Sequence, residues 1–210
     1  MSIAQHPLHN ADAGNHPLPD DPREVLAALR AGERCYAQHP YFERRYGERG
    51  RAFTRSDGGY LVTLADHPQA VVNSQVIWLA GVLANRGMPR WLMEQHLEIL
   101  HDELSVVRPG RSEDYAKLWH AAQVLRSARL EFLSQPDFDA ITAAFDVRTE
   151  HQLRNAGGLV AAAVCDECCG LTEAVPSLLN WLVDPDIFAD SWCEAVRDTI
   201  SQARTRLARI

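Results

Sequence analysis

Hydrophobic residues recur along most of the chain at steps of three and four, the spacing of an amphipathic helix. The clearest run in the first half consists of Met93, Leu97, Leu100, Leu104 and Val107. A run with the same spacing near the end consists of Phe188, Trp192, Val196, Ile200, Ala203 and Leu207. Such spacing places the apolar side chains on one face of a helix, so both runs predict helices packed against a core.

Prolines and capping residues mark where these helices begin. Asp21-Pro22-Arg23-Glu24 combines an N-cap carboxylate, a proline at the first helical position and an acid three residues after the cap. Asp184-Pro185 predicts in the same way that the last helix begins at Asp184. The prolines at 40, 68, 89, 136 and 176 each precede a further stretch of helical character.

Strand signals are nearly absent. Tyr60 to Leu64 has residue types that suit a strand but lacks the alternation of one, so we interpret it as helix. Leu159 to Cys165 is apolar on every side and predicts a buried central helix. These patterns predict an all-α bundle of about seven to nine helices over residues 21–210, with a sub-boundary near 109–112 that would divide it into two helical halves.

The first twenty residues differ from the rest. They contain three histidines, three prolines and almost no apolar periodicity, and the tripeptide His-Pro-Leu occurs at 6–8 and again at 16–18. A segment of this composition buries too little surface to offset the entropy of ordering. We therefore expect residues 1–20 to be a disordered tail.

Composition places the chain among cytoplasmic proteins without a membrane segment. Its longest apolar run is far shorter than the roughly 20 residues that span a bilayer. Its five cysteines are an odd number in a chain without an export signal, so free thiols are expected. Twenty-one basic against 28 acidic residues give a net charge of −7, which disfavours nucleic acid as a partner.

One segment runs against this acidic average. Between residues 41 and 60 the arginines alternate with aromatic residues, and its five arginines are Arg44, Arg45, Arg49, Arg51 and Arg55. The aromatic residues among them are Tyr41, Phe42, Tyr46, Phe53 and Tyr60. Guanidinium groups beside aromatic rings bind carboxylates and phosphates by bidentate hydrogen bonds and stacking. The alternative is a purely structural helix, in which these arginines pair with Glu43, Glu48 and Asp57.

The preferred interpretation is a non-enzymatic regulatory or adaptor module that binds a partner protein or a small anionic ligand. The arginine and aromatic segment, including Tyr46, would form its recognition surface together with Trp78 and Trp91, which lie on the helices either side of Gly87-Met88. The five tryptophans also provide material for a homo-oligomer interface wherever they are exposed. The familiar phosphate-loop, dinucleotide, nucleophile-elbow and zinc-protease motifs are absent from the sequence.

The competing interpretation is a haem or transition-metal protein. Cys165, Cys168 and Cys169 would share one side of a helix and could supply thiolate ligands to a soft metal. His96 and His120 are candidates for an axial haem ligand, because one imidazole in an apolar pocket suffices for that role. The default alternative for all five is structural, as packed cysteines and as surface or core histidines.

Overall fold

The computed structural model describes residues 6–207, and over that range it contains helices and no strand. Its nine α-helices are α1 (Pro22–Gln38), α2 (Pro40–Leu64), α3 (Gln69–Ala84), α4 (Arg90–Val107), α5 (Ser112–Leu130), α6 (Gln135–Arg148), α7 (Ala156–Cys168), α8 (Ala174–Leu182) and α9 (Asp190–Leu207). Short 3₁₀ helices occupy Ala11–Ala13 and Pro109–Arg111. The predicted all-α class with seven to nine helices is confirmed. None of the described helices is both long and apolar enough to cross a bilayer.

The helix starts follow the proline pattern except at Pro176, which is the third residue of α8, and at Pro185, which precedes no helix start. α1 begins at Pro22, where the Asp21 carboxylate accepts the Arg23 amide at 2.9 Å, and α2 begins at Pro40. The last helix begins at Asp190 rather than at the predicted Asp184. Asp184 instead accepts the Asp186 amide at 2.9 Å, so this carboxylate closes a turn instead of capping a helix.

The chain divides into two compact units. The first comprises the residues up to Val76 together with Glu94–Gln123, and the second comprises Ile77–Met93 together with the residues from Val124 onward. The division does not fall near 109–112, because the 3₁₀ helix Pro109–Arg111 lies inside the first unit.

In the first unit, α1 packs along α2 through small side chains. The buried face of α1 includes Ala27, Ala28, Ala31 and Gly32. The facing part of α2 buries Gly58, where a Cβ atom would lie 3.8 Å from the Ala28 Cβ, and the Tyr60 to Leu64 stretch interpreted as helix is the end of α2. Small residues on both helices allow a close approach of their backbones, so α1 and α2 pack tightly against each other.

The segment before α1 lies against the same helix. Leu8 is fully buried, and the 3₁₀ helix Ala11–Ala13 contacts α2. Residues 6–20 therefore pack on the fold, where the sequence predicts a disordered tail, because two of their few apolar side chains enter a gap on α2. Residues 1–5 of that predicted tail lie outside the described range.

In the second unit, α7 is the central helix that the apolar run predicts. Every residue from Ala156 to Asp166 is buried, and α6, α8 and α9 all pack against α7. Gly157 makes the contact with α6 possible, because a Cβ atom at this position would lie 2.5 Å from the Cβ of Phe145. The two adjacent glycines at 157 and 158 thus lie in the first turn of a buried helix.

Candidate binding surface on helix α2

The arginine-rich segment forms most of α2 and is bent at one residue. Gly47 has φ 51° and ψ −143°, a backbone conformation outside the helical region that glycine adopts without a Cβ penalty. The kink separates Arg44 and Arg45, in the short first stretch, from the three later arginines. The five side chains consequently do not form one continuous row.

The aromatic residues of this segment anchor it to the unit. Tyr41 and Phe42 are buried, and the Phe42 ring stacks on Tyr36 of α1 with 5.2 Å between ring centroids. Tyr46 meets Tyr41 edge to face at 5.8 Å. The predicted interleaving therefore separates only in part by depth, because Tyr41 and Phe42 are buried whereas Tyr46, Phe53 and Tyr60 are partly exposed.

Arg45 is bound to the buried rings. Its Nη1 donates a hydrogen bond to the Tyr41 hydroxyl at 2.5 Å, and its guanidinium lies 5.1 Å from the Tyr46 ring centroid. Burial raises the pKa of Tyr41 well above its usual range, so this phenol remains neutral and accepts the bond. Arg45 positions the Tyr41 and Tyr46 pair as well as carrying charge.

Arg51 and Arg55 form intramolecular ion pairs, as expected if the helix is purely structural. Arg51 contacts Glu33 of α1 at 2.7 Å and Glu43 at 3.0 Å, and Arg55 contacts Glu48 at 2.6 Å. These contacts offset the charge of both arginines within the protein, although each pair at a surface contributes little to stability. Two of the five predicted binding arginines are thereby committed to acids of the same unit.

Arg44 and Arg49 are exposed. The guanidinium of Arg49 lies 5.7 Å from the centroid of the Phe53 ring, which supports it from one side. Stacking on a ring holds a guanidinium in a defined plane and leaves its N–H groups directed outward. We call Arg44, Arg45 and Arg49 the Arg44–Arg49 surface.

The two tryptophans predicted to join this surface lie in the second unit and differ sharply in exposure. Trp78 on α3 is 60% exposed and has the exposed Ile77 beside it. Trp91 is only 8% exposed and meets Phe138 edge to face at 5.1 Å. The ring of Trp91 fills the space above Gly158, where a Cβ atom would lie 2.9 Å from it. Trp91 is therefore a core residue, which corrects its assignment to a recognition surface.

His96 is buried in the first unit. Burial lowers its pKa to about 4, so the imidazole is neutral at physiological pH. Its Nε2 has no hydrogen-bond partner among residues 6–207, and a Cβ atom built on Gly58 would lie 3.6 Å from that nitrogen and 3.8 Å from the Ala28 carbonyl oxygen. Helix backbone thus occupies the space next to Nε2, and a porphyrin ligated by His96 would require α1 and α2 to separate.

His120 is exposed and lies edge to face with Trp119 at 5.1 Å. An axial haem ligand needs an enclosed apolar pocket, and the solvent-facing position of His120 provides none. Neither histidine therefore lies in surroundings that suit an axial ligand.

The three clustered cysteines differ in depth. Cys165 is buried, and burial raises the pKa of its thiol to about 12, whereas Cys168 is exposed. Cys169 is partly buried and interacts with the Arg90 guanidinium. Within residues 6–207, no group of three or more His, Cys, Asp or Glu side chains is arranged to hold a metal ion. The three cysteines are three and one residues apart in the sequence, but their thiols do not form a metal-binding group.

A cluster around one buried carboxylate at the start of α1 was not predicted from the sequence. Oε1 of Glu24 accepts hydrogen bonds from the Tyr115 hydroxyl at 2.6 Å, Arg111 Nη1 at 2.8 Å and Arg108 Nη1 at 3.1 Å. The capping pattern predicted Asp21 as the cap, as the structure has it, but used Glu24 only as an acid at the same helix start. The sequence feature that could have indicated this cluster is the pair of arginines in the 108–111 turn. The cluster ties α1 to the start of α5.

A second buried acid lies inside the cysteine motif. Asp166 accepts Arg90 Nε at 2.7 Å and the Arg90 amide at 2.8 Å. Burial raises the pKa of Asp166, while the Arg90 charge and both hydrogen bonds oppose that shift. This arrangement indicates that the motif around Asp166 serves an ion pair, a role that local spacing does not reveal.

Comparisons with known proteins add no relative to this picture. No protein-family model, no curated protein and no solved structure matches the chain. The function is therefore argued from the side chains themselves.

Proposed function

We propose that this protein is a non-enzymatic helical module, regulatory or adaptor in role, that binds an acidic segment of a partner protein through the Arg44–Arg49 surface. The observation that carries the proposal is the exposed Arg49 guanidinium supported by Phe53, with an exposed Arg44 on the other side of the Gly47 kink, in a helix anchored by buried aromatic rings. A cytoplasmic location and a homo-oligomer remain predictions that accompany it.

A carboxylate partner suits this surface better than a phosphate backbone does. Arg51 and Arg55 already hold three glutamates, so the same helix binds carboxylates within the protein. The arginines of the Arg44–Arg49 surface have planar guanidinium groups that can bind a carboxylate of a partner through two parallel hydrogen bonds. Nucleic acid is disfavoured because the chain has a net charge of −7 and a single lysine, Lys117.

A segment of a protein suits the surface better than a small anion. Arg44 and Arg49 lie on either side of the Gly47 kink, so a ligand that engages both has to extend along the helix. Exposed charges such as these contribute modestly one at a time and more when an extended ligand engages several of them.

The test is reversal of charge at the two exposed positions. Arg44→Glu combined with Arg49→Glu should abolish binding of a fluorescent oligoglutamate peptide, measured by anisotropy at low salt, because attraction becomes repulsion. Arg45 is left unchanged, since a carboxylate there would face the buried Tyr41 and Tyr46 pair and disturb the fold.

The matched control is Arg30→Glu combined with Arg197→Glu, which changes the net charge equally at exposed arginines elsewhere. Oligoglutamine of the same length should not bind to any variant. Equal binding by the unmodified chain, the surface variant and the control would refute the proposal. Competition by inorganic phosphate as strongly as by oligoglutamate would instead assign the surface to small anions.

A further inference from the structure

Helix α3 carries exposed apolar side chains and no charge. None of its 16 residues is acidic or basic, although the chain as a whole has a net charge of −7. The part of α3 that belongs to the second unit begins with Ile77 and Trp78, and both side chains are exposed. Trp78 is the most exposed of the five tryptophans. Exposed apolar side chains grouped on an uncharged helix are typical of an interface between proteins.

A shallow hollow lies one helical turn after Trp78. Gly81 has no side chain, and the nearest atom that a Cβ there would meet beyond the adjoining helix backbone is Leu171 Cδ2, at 3.6 Å. Gly81 and Leu171 are both partly exposed, so the hollow opens to the surface. Because residues three apart lie on the same face of a helix, the projecting indole and the hollow are neighbours. We call Ile77, Trp78, Gly81 and Leu171 the Trp78 patch.

The core of the second unit already contains a contact between an indole ring and a helical glycine. The Trp91 ring lies over Gly158 of α7, where an added Cβ atom would come within 2.9 Å of the ring. The missing side chain at Gly158 thus lets the ring lie close to helix backbone. Gly81 offers helix backbone of the same kind, but at the surface of the unit.

We propose that the Trp78 patch is the interface of a homodimer, in which Trp78 of each copy lies over Gly81 of the other. Across a twofold axis, a residue that contacts a second one is matched by the same contact in reverse. A patch with a projecting ring and a hollow one turn apart therefore fits a copy of itself when the two α3 helices run antiparallel. The patch is separate from the Arg44–Arg49 surface, so this proposal does not depend on the proposed function.

The charge distribution favours a second copy of this chain as the occupant. A twofold interface places each surface opposite itself, so a charged patch would meet its own charge, whereas an unlike partner can supply the opposite charge. Of the nine α-helices within residues 6–207, only α3 and the nine-residue α8 contain no charged residue. The exposed face of α3 therefore meets the condition that self-association imposes.

The size of the Trp78 patch predicts a weak, reversible dimer. Burying the exposed parts of two indole rings removes roughly 300 Å² of surface from water. The side chains of Ile77 and Leu171 enlarge this area in both copies. Stable interfaces bury about 1,200–2,000 Å² in total, and smaller interfaces belong to transient complexes. We therefore expect association at micromolar concentrations of the chain.

The experiment is sedimentation equilibrium of the full chain between about 1 and about 200 µM protein. The mean mass should rise with concentration from that of one chain toward that of two. Trp78→Ala should raise the dissociation constant at least about thirtyfold, as loss of a central aromatic side chain does at other interfaces. A chain that stays monomeric throughout overturns the proposal.

Trp119→Ala is the matched control, because it removes another exposed tryptophan, which lies in the first unit. This variant should associate like the unmodified chain. Equal association of the Trp78→Ala variant and the unmodified chain overturns the proposal, and so does an equal loss in the Trp78→Ala and Trp119→Ala variants.

Gly81→Ala tests the hollow while preserving the fold. Its methyl group would lie at an ordinary contact distance from Leu171, and alanine favours a helix more than glycine does. The midpoint of thermal unfolding should therefore be unchanged or higher. The same methyl group would separate the partner's indole ring from the helix backbone, so the dissociation constant should rise about tenfold. Unchanged dimerisation of this variant overturns the contact between Trp78 and Gly81.

Sodium chloride distinguishes this interface from one held by ion pairs. Two copies of an acidic chain repel each other, and salt screens that repulsion, whereas the Trp78 patch has no charge of its own to screen. The dimer should therefore be as stable or more stable at about 500 mM than at about 50 mM sodium chloride. Dissociation of the dimer by salt would place the interface on charged residues and overturn the proposal.

Discussion

Helices α7 and α2 use polar residues in opposite ways. α7 is buried from Ala156 to Asp166, and the one charged residue in that stretch is paired with Arg90. α2 is anchored by buried aromatic rings but carries five arginines along a kinked surface. Packing accounts for the composition of α7, whereas Arg44 and Arg49 of α2 are exposed at the surface. This contrast is what directs the functional proposal to α2.

The largest expected effect tests the buried pair of α7. Asp166→Ala should lower the free energy of unfolding by about 3–5 kcal/mol, because it leaves the largely buried Arg90 guanidinium without its carboxylate. Asp198→Ala, which removes the exposed partner of Arg148 in the same unit, should cost less than about 1 kcal/mol. Urea denaturation measures both, and equal losses would contradict the contrast between buried and exposed polar groups.

The next effect concerns His96, which lies beside Gly58 of α2. Its pKa is about 4 when folded against an ordinary 6.5, so between these values the unfolded chain binds more protons than the folded one. The stability from neutral His96 is complete above pH 6.5 and is lost as the pH falls toward 4, by about 3 kcal/mol in total. Denaturation at a series of pH values measures this slope.

His96→Leu should flatten that slope, because leucine does not titrate. His120→Gln removes an exposed histidine instead and should leave the slope unchanged. If the free energy of unfolding of the His96→Leu variant falls with pH as steeply as that of the unmodified chain, other groups cause the acid sensitivity.

The smallest effects distinguish two arginines within α2. Arg45→Ala removes the donor to the buried Tyr41 hydroxyl and should cost about 1–3 kcal/mol. Arg55→Ala removes an exposed pair with Glu48 and should cost less than about 1 kcal/mol. Thermal unfolding under identical conditions compares them, and an Arg55 variant that is the less stable of the two would reverse the assigned roles.

Local patterns predicted the architecture well. The all-α class, the starts of α1 and α2 and the buried helix from Leu159 to Cys165 depend on spacing and capping over a few residues. The error at Asp184 arose because an aspartate before a proline suits a turn as well as a helix cap. The packing of residues 6–20 was not predicted because Leu8 and Leu18 lie against Gly59, far along the chain.

The candidate binding surface could be predicted less well than the architecture, because it depends on contacts between residues far apart in the sequence. Arg51 is paired through Glu33 of another helix, and Trp91 is buried because Gly158 leaves space for its ring. Glu24 meets its partners 84 to 91 residues away. No periodicity within a helix encodes such contacts, so the sequence could nominate five arginines but could not show that Arg51 and Arg55 pair with glutamates of the same unit.

The most direct test of the proposed function is an NMR titration of the isotope-labelled chain with oligoglutamate peptide. We expect amide shifts concentrated between residues 44 and 53 of α2, with α7 unchanged, and we expect them to disappear when Arg44 and Arg49 are reversed in charge. Shifts located elsewhere in the chain, or shifts that persist in that variant, would contradict the assignment of binding to the Arg44–Arg49 surface.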